Sequence, residues 1–136
     1  MKNYLIALIS LLALSACQRE EPAPLPEGLA GEWDLISVIC FCPPATLEPG
    51  DQTWDFDLQE NEITVTGEVP DNTAYVPLPG TYAFSRDMAA GTLTIYDFAT
   101  SETAIDSIRF DYYFEGEELI IEDQPEVDGP QLRFVR

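Results

Sequence analysis

The chain has 136 residues and sets 25 acidic against six basic side chains, a formal charge of −19, with no histidine. That length suits one domain rather than two with separate cores, and phosphate backbones or anionic lipid surfaces repel so acidic a chain, so nucleic acid is not an expected partner. Hydrophobic residues at 46 %, with seven Phe, six Tyr and two Trp, exceed what a disordered chain carries, so most of the sequence is expected to pack a core.

Met1-Lys2-Asn3 is a short positive start, and Tyr4 to Leu14 is an apolar run broken only by Ser10. Such a run is too short to span a bilayer as a permanent helix but suits a signal-peptide core. It ends in Leu14-Ser15-Ala16-Cys17, which resembles a bacterial lipobox. The resemblance implies cleavage before Cys17, which is then acylated and opens the mature protein. Residues 1–16 are thus expected to be a signal peptide, 17–28 a lipidated tether and 29–136 the folded domain. Several acyl chains on one cysteine anchor durably, because each buried methylene contributes about 0.8 kcal/mol. Gln18-Arg19-Glu20-Glu21 is similar to the surface-export signal of some Gram-negative lipoproteins, and Gln18 stands where an inner-membrane retention signal places aspartate. These features imply an outer-membrane lipoprotein, with the surface-facing and the inward-facing leaflet both open to it. Pro22, Pro24 and Pro26 make a stiff, extended spacer.

From Leu29 onward, short alternating runs are separated by turn residues, the pattern of an all-β barrel or sandwich. Eight strands are predicted: Trp33 to Phe41, Thr53 to Leu58, Ile63 to Thr66, Thr81 to Ser85, Thr92 to Phe98, Ser107 to Phe114, Leu119 to Glu122, and Gln131 to Val135. Glu60-Asn61, Glu115-Gly116 and Asp128-Gly129 are expected turns, and Pro70 to Gly80 a Pro-rich loop. Alternation places Trp33, Leu35, Ile39, Trp54, Phe56, Leu58, Ile63, Val65, Tyr82 and Phe84 inside. Leu93, Ile95, Ile108, Phe110, Tyr112, Leu119, Ile121, Leu132 and Phe134 continue the set. Eight strands just close a small antiparallel barrel, filled by side chains or holding one small ligand, with a β-sandwich as the alternative.

Gly31-Glu32-Trp33 opens the first strand, and Arg133 and Arg136 lie in and after the last. This resembles the lipocalin pattern, in which a Gly-x-Trp packs beneath an arginine from the end of the barrel. The segment Asp128 to Arg136 is similar to the close of short lipocalin-like domains in bacterial lipoproteins. The resemblance implies an eight-stranded up-and-down barrel in which Gly31, Trp33, Arg133 and Arg136 form a structural signature. A guanidinium on an indole contributes about 0.5–2 kcal/mol.

Chemistry-bearing groups are few. Cys40-Phe41-Cys42 puts two thiols on one strand face, and a disulfide between them, a free buried pair and a soft metal site are the readings available. The disulfide is favoured, since a metal needs more ligands than two thiols and no histidine supplies them. Carboxylates cluster at Asp55, Asp57, Glu60 and Glu62, at Glu115, Glu117 and Glu118, and at Glu122, Asp123, Glu126 and Asp128. Calcium is the one cation such groups suit, but none matches the twelve-residue calcium loop, so no cofactor is expected. Without histidine, and with Lys2 removed, the usual general base and Schiff-base nucleophile are absent, and the serines show no activating motif. A non-enzymatic role is expected.

Two roles remain. One is binding of a small apolar ligand in a barrel lined by Trp54, Phe56, Phe84, Phe110 and Tyr112. The other is a plugged barrel that serves the envelope as a structural or interaction module, its acidic loops meeting a protein partner or cations. A cavity above about 300 Å³ favours the first and a filled interior the second.

Overall fold

Trp54, Phe56, Ile63 and Val65 are buried while Asp55, Asp57, Glu62 and Thr64 face water, and this two-residue period fixes the inside and outside of a sheet. The computed structural model describes residues 28–41, 43–69, 75–123 and 129–136, and these contain strands and turns but no helix. Nine strands follow one another: β1 (Gly31–Ile39), β2 (Ala45–Thr46), β3 (Gln52–Asp57), β4 (Glu62–Gly67), β5 (Gly80–Asp87), β6 (Thr92–Ala99), β7 (Ala104–Glu115), β8 (Glu118–Glu122) and β9 (Gln131–Val135). Every pairing is antiparallel, each long strand pairs with the next, and β9 returns to β1. The product is the expected closed eight-stranded barrel, with β2 as a short extra strand on the edge of β1. Closure leaves no long lateral edge and puts one face of every strand against a shared interior.

The two ends differ. At one, β3–β4, β5–β6 and β7–β8 are joined by tight turns, and Asn61, Gly91 and Gly116 supply the positive φ that such turns need. At the other, longer connections run from β1 to β3, from β4 to β5 and from β8 to β9. Asp128, part of an expected turn, lies outside the described residues, as does 70–74 of the Pro-rich loop.

β8 buries Leu119, Ile120 and Ile121 in succession, and alternation slips in β1 and in β6 in ways that change the interior. Leu35 pairs with Phe134 but Ser37 pairs with Arg133, so Ile36 is an extra residue, a bulge in β1. Its carbonyl accepts the Leu47 N–H at 3.0 Å. The bulge advances the phase by one, bringing Val38 inside at 0 % exposure and turning Ile39 out at 46 %. The expectation that Ile39 lines the interior is therefore corrected. In β6, Asp97 takes a φ of +52°, and Phe98 rather than residue 97 follows Ile95 into the core. Leu58, Ile108 and Tyr112 are partly buried and pack against the core from its margin.

One carboxylate at the end with the longer connections is held out of its usual range. Partial burial, and secondarily the charge of Asp111, raise the pKa of Asp123. A raised folded-state pKa favours folding below the ordinary aspartate range, and that contribution is lost as pH rises through the raised value. Asp123→Asn is therefore expected to raise the melting temperature at about pH 7, with the gain vanishing at about pH 3. Thermal melts at the two pH values check this.

Candidate functional site

The barrel interior is the first place to look for a ligand, and aromatic side chains occupy it. Phe134 meets Trp54 edge-on at 5.0 Å between ring centroids, Trp54 lies 6.2 Å from Phe56, and Phe56 meets Phe84 edge-on at 5.9 Å. A second run links Tyr82 to Phe98 at 6.1 Å and Phe98 to Phe110 at 5.9 Å. These spacings are those of packed aromatic pairs. Leu35, Trp54, Leu93, Leu119, Ile121, Leu132 and Phe134 are all 0 % exposed, and Phe56, Ile63, Ile95, Phe98 and Phe110 are 1 % exposed. A side chain bordering a water-sized void would present accessible surface to it, so these residues surround packed atoms rather than space.

Both barrel ends are sealed by side chains. At the tight-turn end, Trp33 is buried and its indole N–H donates to the Leu29 carbonyl at 3.0 Å. Gly31, with a φ of +95°, bends the entering chain so that Leu29 lies in reach of that indole. The Arg136 guanidinium carbon stands 4.1 Å above the Trp33 ring, and Nη2 donates to the carbonyls of Gly28 at 2.8 Å and Ala30 at 2.6 Å. Partial burial lowers the Arg136 pKa from its ordinary value, yet an arginine stays charged at any physiological pH. At the other end, buried Gln52 accepts from the Trp54 indole at 3.2 Å and donates to the Pro77 carbonyl at 3.2 Å. Val76 and Leu47 are buried beside it in the same core, and the Tyr82 hydroxyl donates to the Leu78 carbonyl at 2.7 Å.

Of the two arginines in the signature, Arg136 alone covers the tryptophan. Leu132 and Phe134 point inward, so Arg133 points outward, where it meets Glu115 at 2.7 Å and Glu118 at 3.1 Å. The Nε faces Glu118 at an angle unsuited to a hydrogen bond, so that contact is Coulombic. Arg136→Ala is expected to cost about 1–2 kcal/mol through the lost stacking and the two stranded carbonyls. Arg133→Ala, whose partners are largely in water, should cost less than about 1 kcal/mol. Chemical denaturation of both variants checks the order.

Three aspartates hold turns, Glu115 and Glu118 of the acidic clusters pair with Arg133, and Glu126 and Asp128 lie outside the described residues. Asp57 Oδ1 accepts the N–H groups of Gln59 and Glu60, Asp87 Oδ1 those of Ala89 and Ala90, and Asp51 Oδ2 that of Glu48. Glu122 accepts from Gln131 at 2.9 Å and from the Tyr113 hydroxyl at 3.3 Å. Among the described residues, no three carboxylates or thiols converge as metal ligands. Cys40 is disulfide-bonded, and the other two cysteines, Cys17 and Cys42, lie outside the described residues. Among the described residues, open grooves lie on the outer surface. One of about 480 Å³ is bordered by Gly31, Glu32, Asp34, Thr53, Thr66 and Arg136, and one of about 280 Å³ by Ala30, Gly31 and residues 55–59 at the end of β3. Both are shallow and face solvent.

Of the expected interior set, Trp54, Phe56, Phe84 and Phe110 are buried and Tyr112 is partly buried at the margin, while Gln52, Leu47, Val76 and Phe98, outside that set, are buried too. Gln52 reads as a solvent residue by type and is buried only because two partners satisfy its amide. No protein-family model, curated protein or solved structure matches the chain.

Proposed function

We propose that the chain is an outer-membrane lipoprotein, anchored through Cys17, whose barrel is a solid module acting through its acidic exterior on a protein partner or on cations. One observation carries the choice between exterior and interior. The side chains from all eight barrel strands fill the space that a carrier would keep for cargo, and the core residues of that space stay 0–3 % exposed apart from Leu47 and Tyr82, each at 7 %. A small apolar ligand would have to displace rings that already contact one another at 5.0–6.2 Å. The anchor and compartment rest on the lipobox-like segment and on Gln18, and the preference for cationic partners on the formal charge of −19.

Native mass spectrometry of the full chain, extracted from its envelope in mild detergent, tests this reading. The expected spectrum is one protein mass, increased by the acyl groups on Cys17 and by nothing held non-covalently. A further mass of a few hundred daltons that leaves on unfolding would replace the solid module with a carrier.

A further inference from the structure

The negative charge of the exterior is unevenly spread, and it gathers without a counter-charge on the outer face of β1, β3 and β4. These three strands contain no lysine or arginine, and they turn Glu32, Asp34, Asp55, Asp57 and Glu62 outward. Elsewhere Arg109 faces outward on β7, and Arg133 on β9 pairs with Glu115 and Glu118. The groove of about 480 Å³ lies on the acidic face, against Glu32 and Asp34, and the groove beside Asp55 and Asp57 adjoins it at Ala30 and Gly31. Arg136 stands at the rim, with its guanidinium over Trp33 and on the carbonyls of Gly28 and Ala30.

The register sets these carboxylates against one another. Glu32 lies directly opposite Asp55, and Asp57 directly opposite Glu62, so both cross-strand pairs join like charges. Such pairs weaken a sheet, where opposite charges at the same positions would strengthen it. Asp57 holds its turn and Asp34 accepts the Thr53 hydroxyl at 2.6 Å, but the side chains of Glu32, Asp55 and Glu62 make no hydrogen bond or ion pair among the described residues. Charges placed at the expense of the sheet belong to a surface that serves something besides stability.

The spacing points to what supplies the counter-charge. Neighbouring strands lie about 5 Å apart and alternate residues about 7 Å, so the carboxylates are spread over a face rather than gathered round a point. Among the described residues, no three of them converge as metal ligands. A chain of cations matches that spread better than a single ion does, and a second copy of so acidic a protein is repelled from it.

We propose that the outer face of β1, β3 and β4, centred on Glu32 and Asp55, docks a lysine- or arginine-rich segment of a partner protein. The proposal rests on the reading of the barrel as a module acting through its exterior, and names the surface and the partner chemistry.

Fluorescence anisotropy of a labelled ten-residue peptide alternating Arg and Ser, titrated with the full-length protein, tests it. Salt is held at about 0.15 M, where exposed charges more than about 8 Å apart are largely screened. Glu32→Lys combined with Asp55→Lys should weaken binding at least about tenfold. Asp106→Lys combined with Glu117→Lys changes the net charge equally on other surfaces and should weaken it less than about threefold. Asp55→Asn, which keeps the shape of the face, should weaken it about threefold. Asp55→Lys alone should melt higher than the wild type while binding less, because it turns a like-charged pair into an opposite one. Equal weakening by the two double variants would mean that the overall charge alone attracts the peptide, and a wild type that does not bind would mean that the face takes no such segment; either overturns the proposal. So would a lower melting temperature for Asp55→Lys, or binding strengthened about tenfold in Arg19→Gln, which would mean that the chain's own N-terminal segment holds the face. If the native mass carries no cargo, these failures overturn the docking face and leave the exterior role standing, whereas a cargo mass overturns the exterior role itself.

Discussion

Phe56→Ala should destabilise the domain by about 3–5 kcal/mol, the range for removing a large side chain from a close-packed interior. Phe56 is 1 % exposed, pairs across strands with Gly31 and Ile63, and touches both Trp54 and Phe84 in the aromatic run. Its neighbours sit in a closed barrel whose strands cannot move inward independently, so the vacated space collapses only in part. Urea denaturation gives the number. A filled core predicts a fall in the midpoint at unchanged slope. A loss well under about 1 kcal/mol would mean that Phe56 borders open space and lost few contacts.

Gly67→Ala should rank with the core substitution, at about 3 kcal/mol or more, for a different reason. Gly67 ends β4 opposite Gln52 with a φ of +96°, a conformation that L side chains rarely adopt. A methyl group there would run into the Asp51 carbonyl oxygen and come within 2.9 Å of the Asp51 carbonyl carbon and of Gln52 Cα. All three are backbone atoms, so no rotamer change relieves the clash. That same Asp51 oxygen accepts the Glu68 N–H at 2.9 Å, and the adjacent Gln52 ties Trp54 to Pro77. The strain therefore reaches the seal of the barrel end. Gly116→Ala is the matched comparison, since Gly116 also has a positive φ, +63°, but a methyl group there meets nothing within 4 Å. It should cost about 1–2 kcal/mol, the backbone part alone. Parallel urea titrations separate the two contributions.

The strands and tight turns were legible because half-buried sheets alternate strictly, as in Thr53-Trp54-Asp55-Phe56-Asp57-Leu58, and because Asn61 and Gly116 suit positive φ. What alternation cannot reveal is where it slips. Ile36 and Asp97 carry ordinary strand and turn chemistry, yet the bulge at the first and the backbone flip at the second decide that Val38 and Phe98, not Ile39 and residue 97, enter the core. The two-residue β2 is too short for any periodic signal. The Trp33 partner was recoverable: with Leu132 and Phe134 inside, the same phase carried forward reaches residue 136 and not 133. Whether rings fill a barrel or line one depends on strand tilt and rotamer, neither of which a list of inward positions contains.

A crystal of the wild-type protein under xenon pressure tests the filled interior most directly, because xenon enters dry apolar cavities that water leaves empty. No xenon should appear among Trp54, Phe56, Phe84, Phe98, Phe110 and Phe134. Ordered xenon within that ring of side chains would contradict the solid barrel and return the interior to the role of a binding site.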